Sequence, residues 1–203
     1  MEKKWPFIIF SVLIMVVGVL FIVSLNLFKP APEGAEINTN EWEFSTYMGG
    51  TIYNDTAYGY SSVVFNVSSA SGSEVYMLSQ KSTGLPLASN SLIRSSVSAC
   101  KIDWGWLGFG NNYMFLTWNG THWIADTDNE SETPETTTIN GYDPSNNWRK
   151  LSIEATSTQI RYFIDDVLVA THTNRIPSGD FQFYGELKST GTASKLYIAS
   201  HKF

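Results

Sequence analysis

Two patterns of apolar and polar positions divide the chain. From Pro6 to Phe28 the sequence is apolar throughout, interrupted only by Ser11, Gly18, Ser24 and Asn26. As a helix this run spans about 35 Å, enough to cross a ~30 Å hydrocarbon core. Beyond Asn40 the pattern changes to short runs in which apolar and polar residues alternate, separated by turn clusters. That period predicts strands with one buried face.

Strands are predicted at Ser61 to Ser68, Ser73 to Leu78, Trp148 to Ala155, Gln159 to Ile164, Val167 to His172, Phe181 to Glu186 and Lys195 to His201. Ser91 to Trp106 alternates over a longer stretch but changes register once, which predicts a bulge or turn within it. Asn112 to Trp118 and Thr121 to Ala125 flank Asn119-Gly120, a dipeptide suited to the positive φ of a tight hairpin. Asp165-Asp166 supplies the turn of a second hairpin. Asp126 to Tyr142 is acidic, Thr-rich and poor in apolar residues, and predicts a long exposed loop. Roughly ten strands with short connections predict an antiparallel sandwich of two sheets.

The expected organisation is a short cytoplasmic tail at 1–5, a transmembrane helix at 6–28, a Pro-rich linker at 29–40 and a β domain at 41–203. Lys3 and Lys4 precede the apolar run and an acidic Pro-rich stretch follows it, which places the N-terminus inside and the bulk outside. The bilayer is then a partner through residues 6–28. A cleaved signal peptide competes with this reading, but its apolar region is usually only ~7–15 residues and ends in a small-x-small site. A pilin-like helix buried in a filament is a third alternative.

Composition narrows the class. The formal charge of the 203 residues is −6, only 16% of them are charged, and aromatics reach 14% with seven Trp and ten Tyr. A chain that is acidic and lacks a basic stripe is not built for nucleic acid. Its single cysteine, Cys100, excludes an intrachain disulfide and reads as a small buried hydrophobe.

The C-terminal half carries a recognisable order. Trp148-Arg-Lys-Leu-Ser-Ile leads to Gln159-Ile-Arg-Tyr-Phe-Ile-Asp165-Asp-Val-Leu-Val, then to Thr171-His172-Thr-Asn-Arg-Ile-Pro177 and Phe181-Gln-Phe-Tyr-Gly. With Trp104-Gly-Trp-Leu-Gly-Phe-Gly and Tyr113-Met-Phe-Leu-Thr-Trp before it, this order resembles the concanavalin A-like lectin/glucanase superfamily. The likeness covers about residues 90–203, and 41–203 loosely. Asp166 departs from it, standing where the hairpin usually has glycine. The resemblance implies a jelly-roll β-sandwich whose concave face commonly binds carbohydrate.

Laminarinase-type hydrolases of that superfamily carry two glutamates and an aspartate at alternate positions of one strand, and a retaining mechanism sets acid and nucleophile ~5 Å apart. That spacing is absent here. Glu41-Trp-Glu43 has no matching third carboxylate, and in the strand from Ala99 to Trp106 only Asp103 is acidic. The chain is therefore expected not to be an enzyme. His122, His172 and His201 are scattered, with neither a nucleophile elbow nor zinc spacing, and read as surface or strand-edge residues. Asp126, Asp128 and Glu130 resemble a fragment of a calcium loop.

Trp rings both fill sandwich cores and stack on sugars. Most are expected in the core, with Trp106, Trp123 and Tyr142 as candidates to line a glycan groove. Asn54, Asn119 and Asn129 are the candidate glycosylation sites, Asn119 and Asn129 in predicted turns where acceptors are accessible, whereas the sequon asparagine Asn66 lies within a strand. The expected function is a membrane-anchored, non-catalytic surface lectin or adhesion module. An envelope or virion structural protein assembling through its sandwich, with glycans or neighbouring copies as partners in a homo-oligomer, is the alternative. An atypical glycoside hydrolase stands third.

Overall fold

A computed structural model describes residues 41–130 and 133–202, and the expected anchor at 6–28 lies outside them. Among the described residues no helix is long and apolar enough to cross a membrane. The elements are strands: β1 (Trp42–Tyr47), β2 (Thr51–Ala57), β3 (Tyr60–Val67), β4 (Glu74–Ser79), β5 (Leu87–Ser95), β6 (Cys100–Gly108) and β7 (Asn112–Trp118). The second half adds β8 (Trp123–Asn129), β9 (Glu135–Ile139), β10 (Arg149–Ala155), β11 (Ile160–Ile164), β12 (Val167–His172), β13 (Phe181–Ser189) and β14 (Ser194–Lys202).

They form two seven-stranded sheets, in the orders β1-β4-β13-β6-β7-β8-β9 and β12-β11-β10-β5-β14-β3-β2. Neighbouring strands pair antiparallel throughout, as for β13 with β6 and β14 with β3. The expected two-sheet antiparallel sandwich is what the chain forms. The stretch Ser91 to Trp106 breaks into β5 and β6 at the predicted irregularity. Ser95 holds the break, its Oγ donating to the Val97 carbonyl at 2.6 Å. Asp165 and Asp166 turn the β11–β12 hairpin with φ of 54° and 64°, so aspartate fills positions that favour glycine.

The predicted loop from Asp126 to Tyr142 is corrected. β8 runs on to Asn129, and β9 pairs with it from Glu135 to Ile139. Thr is a good strand former, and β9 borders the sheet, so only one of its residues, Ile139, is buried.

The core lies between the sheets. Trp104, Trp106, Trp118 and Trp123 are fully buried there with Phe65, Phe181 and Phe183. Phe183 packs edge-on to both Trp104 and Trp106, with ring centroids 5.5 and 5.4 Å away. Cys100 is buried as expected, and burial pushes its thiol up to about 11, so it is inert at neutral pH.

Candidate active site

The alternation that sends Trp104 and Trp106 inward sends Lys101 and Asp103 of β6 outward. On the neighbouring β13, Tyr184, Glu186 and Lys188 face the same way. The register sets Asp103 opposite Glu186 on one side and opposite Thr117 of β7 on the other. Two carboxyl groups thus meet on adjacent strands in the middle of the first sheet, each only 8% exposed.

The proton between them can be assigned. Asp103 Oδ1 accepts a 2.7 Å hydrogen bond from Thr117 Oγ1, and Oδ2 is 2.8 Å from Lys101 Nζ. Both oxygens face donors, so the hydrogen in the Asp103–Glu186 bond belongs to Glu186. Burial first, then that hydrogen bond and the charges of Asp103 and Glu74, push Glu186 up to about 7, against the pull of Lys101. A carboxylic acid that keeps its proton close to neutral pH is the property required of a general acid.

A third outward carboxyl lies on β8. Asp126 accepts a 3.4 Å hydrogen bond from the Tyr113 hydroxyl, and burial raises it above the usual carboxylate range. Glu74 of β4 is held by Lys188 at 2.8 Å.

Beside the acid pair runs a row of aromatic rings. Tyr113 stacks on Phe115 at 5.1 Å and 13°. Phe115 meets Tyr184 at 5.7 Å, and Tyr184 meets Tyr76 at 5.9 Å. Phe115 and Tyr184 lie on the two strands flanking β6 and reach each other because Gly105, level with both, has no side chain. A Cβ at Gly105 would stand 2.0 Å from the Met114 carbonyl oxygen, so no other residue fits.

The groove candidates from the sequence fall elsewhere. Trp106 and Trp123 belong to the core, and Trp123 Nε1 donates to the Tyr142 carbonyl at 2.9 Å. Tyr142 packs half-buried against that core with the Arg149 guanidinium 5.6 Å from its ring. The Trp104/Trp106 pairing on one face was right; that face is the inner one. The calcium reading is corrected too. Asp126 and Asp128 share the outer face, but Glu130 lies past the strand end, where its Oε1 accepts from Asn112 Nδ2 at 3.0 Å. Among the described residues no group of three acidic, His or Cys side chains could hold a metal ion.

His122 sits in the β7–β8 turn, but His172 is buried, not at the surface, bonding Thr127 and Thr137. His201 is half-buried, packed against Trp42 and Phe183. Of the sequon asparagines, Asn54, Asn119 and Asn129 are exposed and Asn66 is half-buried. What sequence reading missed is Glu186. A search for carboxylates along one strand cannot see a pair completed from the neighbouring strand.

No protein-family model and no curated protein matches the chain. Solved structures share its fold. A β-glucanase from Bacillus licheniformis superposes with a TM-score of 0.61 at 14% identity, covering 82% of this chain and 93% of that one. A family 16 glycoside hydrolase endo-glucanase from Bacteroides ovatus gives 0.66 at 12%, covering 84% and 98%. A laminarinase from a Flavobacterium species gives 0.58 at 14%, covering 83% and 94%. The fold is therefore the concanavalin A-like jelly roll. The expectations of a non-catalytic lectin and of a chain that is not an enzyme are corrected. The structures this chain resembles are glucan-cleaving enzymes, and its own outer face carries a glutamic acid, pushed up to about 7, paired with an aspartate.

Proposed function

We propose that the chain is a glycosidase or transglycosylase acting on a β-linked glucan-type polysaccharide, held at a membrane by residues 6–28 with the sandwich outside. The observation that carries this reading is the Asp103–Glu186 pair beside the aromatic row. Rings spaced 5.1–5.9 Å apart suit successive sugars of an extended chain, whose apolar faces stack on aromatics. Support also comes from the solved neighbours, which include a family 16 hydrolase bound to a glucan product.

In this reading Glu186 protonates the departing glycosidic oxygen. Asp103, bonded by Lys101 and Thr117, faces the positive charge that develops on the sugar ring. Asp126 is too far from Glu186 to act with it: β8 lies three strands from β13, about 14 Å across the sheet, whereas Asp103 is one strand away, about 5 Å, a separation that suits direct attack on the sugar carbon as the glycosidic bond breaks.

The test is release of reducing sugar from a panel of β-glucans, with the anomer of the product read by NMR. Glu186→Gln is expected to lower kcat by about 10²–10⁴-fold. In the wild type kcat/KM is expected to fall as pH rises through about 7, where Glu186 loses its proton. Absence of release from every glucan, or turnover unchanged in Glu186→Gln, overturns the proposal.

A further inference from the structure

The two carboxyls of the acid pair share most of their charged neighbours. Lys101 on β6 bonds Asp103 at 2.8 Å and also pulls on Glu186. Lys188 on β13 feels both carboxyls. Glu74 on β4 lies on the Glu186 side, but Lys188 matches it at 2.8 Å. Asp126 on β8 acts on Asp103 from two strands away. The hydroxyls of Tyr184 on β13 and Tyr113 on β7 complete the surroundings. Charge acts through space, so each lysine reaches both members of a pair on adjacent strands and moves them together rather than apart. The lysine side chains are also 43% and 41% exposed, and water screens them.

Thr117 is different. Its hydroxyl has one hydrogen, which it donates to Asp103 Oδ1 at 2.7 Å. A hydrogen bond is short and directional, so this donor acts on Asp103 and not on Glu186, which lies on the far side of β6. The backbone fixes its place. Thr117 stands between Leu116 and Trp118, both buried in the core, and pairs with Asp103 on β6 and Ile124 on β8. Branching at Cβ stiffens χ1, so the hydroxyl swings less freely than an ammonium on a four-carbon stem. A carboxyl group that accepts such a bond is favoured in its ionised form.

We propose that Thr117 is the positioning residue of the pair: its hydroxyl holds Asp103 as the acceptor and leaves the shared hydrogen on Glu186, so two carboxyls with similar surroundings take different roles. The placement of the hydrogen stands on this geometry. Its consequence for turnover rests on the glycosidase reading above.

The two parts are tested separately, in the full chain. First, the carboxyl carbons of Asp103 and Glu186 are labelled with ¹³C and followed by NMR through neutral pH. In the wild type the step near pH 7 is expected at Glu186. In Thr117→Val, which keeps the shape and loses the hydroxyl, roughly half of that amplitude is expected to move to Asp103, since a hydrogen bond to a charged group shifts such a ratio at least about tenfold. Thr117→Ser, which keeps a hydroxyl, is expected to hold the step at Glu186. Second, Thr117→Val is expected to lower kcat on a β-glucan about twofold, in proportion to the hydrogen that Glu186 loses, at unchanged KM, with Thr117→Ser recovering it. Thr117→Ala takes the place of Thr117→Val if the latter fails to fold. A step that stays wholly at Glu186 in Thr117→Val, or that moves equally in Thr117→Ser, overturns the inference even where Glu186→Gln abolishes turnover. Redistribution of the hydrogen in a chain that cleaves no glucan upholds it and overturns the glycosidase reading instead.

Discussion

Gly185 shows how tightly single positions are fixed. It faces inward on β13, and a Cβ there would stand 2.5 Å from Cζ3 of the buried Trp104. Gly185→Ala is expected to destabilise the fold by about 1–3 kcal/mol, read as a lower denaturant midpoint. Its neighbour Glu186 faces the opposite way and adds a pH term. Its folded value of about 7 lies above its ordinary 4.5, so the native state binds the proton more tightly than the unfolded one. That contribution is full below pH 4.5 and is lost as pH rises through about 7, on the order of 3 kcal/mol at most. Glu186→Gln stays neutral and is expected to flatten this part of the stability profile, measured by urea unfolding at several pH values. Lys101 works against the elevation. Lys101→Met is therefore expected to move the alkaline limb of the activity profile to higher pH.

Strands are where the sequence was most legible. Period-two alternation located β3, β4, β7 and β10 to β14, because each has one face in the core and one in water. Asn119-Gly120 and Asp165-Asp166 marked their turns, with positive φ at Gly120 and at both aspartates. β1, β2 and β9 were harder, since border strands keep few buried residues and their alternation fades. Side-chain parity was legible as well: Trp104 and Trp106 were placed together, which puts Asp103 on the other face. Which face was the core was not, because tryptophan suits both a core and a sugar platform. The acid pair was illegible for a different reason. Asp103 and Glu186 are brought together by the β6–β13 pairing, a long-range register that no local pattern encodes.

Across the molecule, a buried polar chain ties the two sheets together. Thr127 of β8 bonds His172 of β12 at 2.8 Å, His172 bonds Thr137 of β9 at 3.0 Å, and the Tyr162 hydroxyl donates to the Asp126 carbonyl at 3.1 Å. Burial lowers His172 and takes His201 down to about 3, from an ordinary 6.5. For both, the unfolded state binds the proton more readily, so their contribution is full above pH 6.5 and is lost as pH falls. Acid unfolding is expected to start below that point, with a gentler slope in His172→Asn, followed by near-UV circular dichroism. The sheet orders carry one more consequence. β13 lies between β4 and β6, and β14 between β3 and β5, so the last two strands of the sandwich to be synthesised occupy interior places in sheets whose other members come earlier. Neither sheet is complete until β13 and β14 have been made, and pairings of such long range are slow to form. A chain stopped at Gly179 is expected to show no protected amides by hydrogen exchange. The nascent domain must wait, open and exposed to chaperones and proteases, until its C-terminal residues emerge.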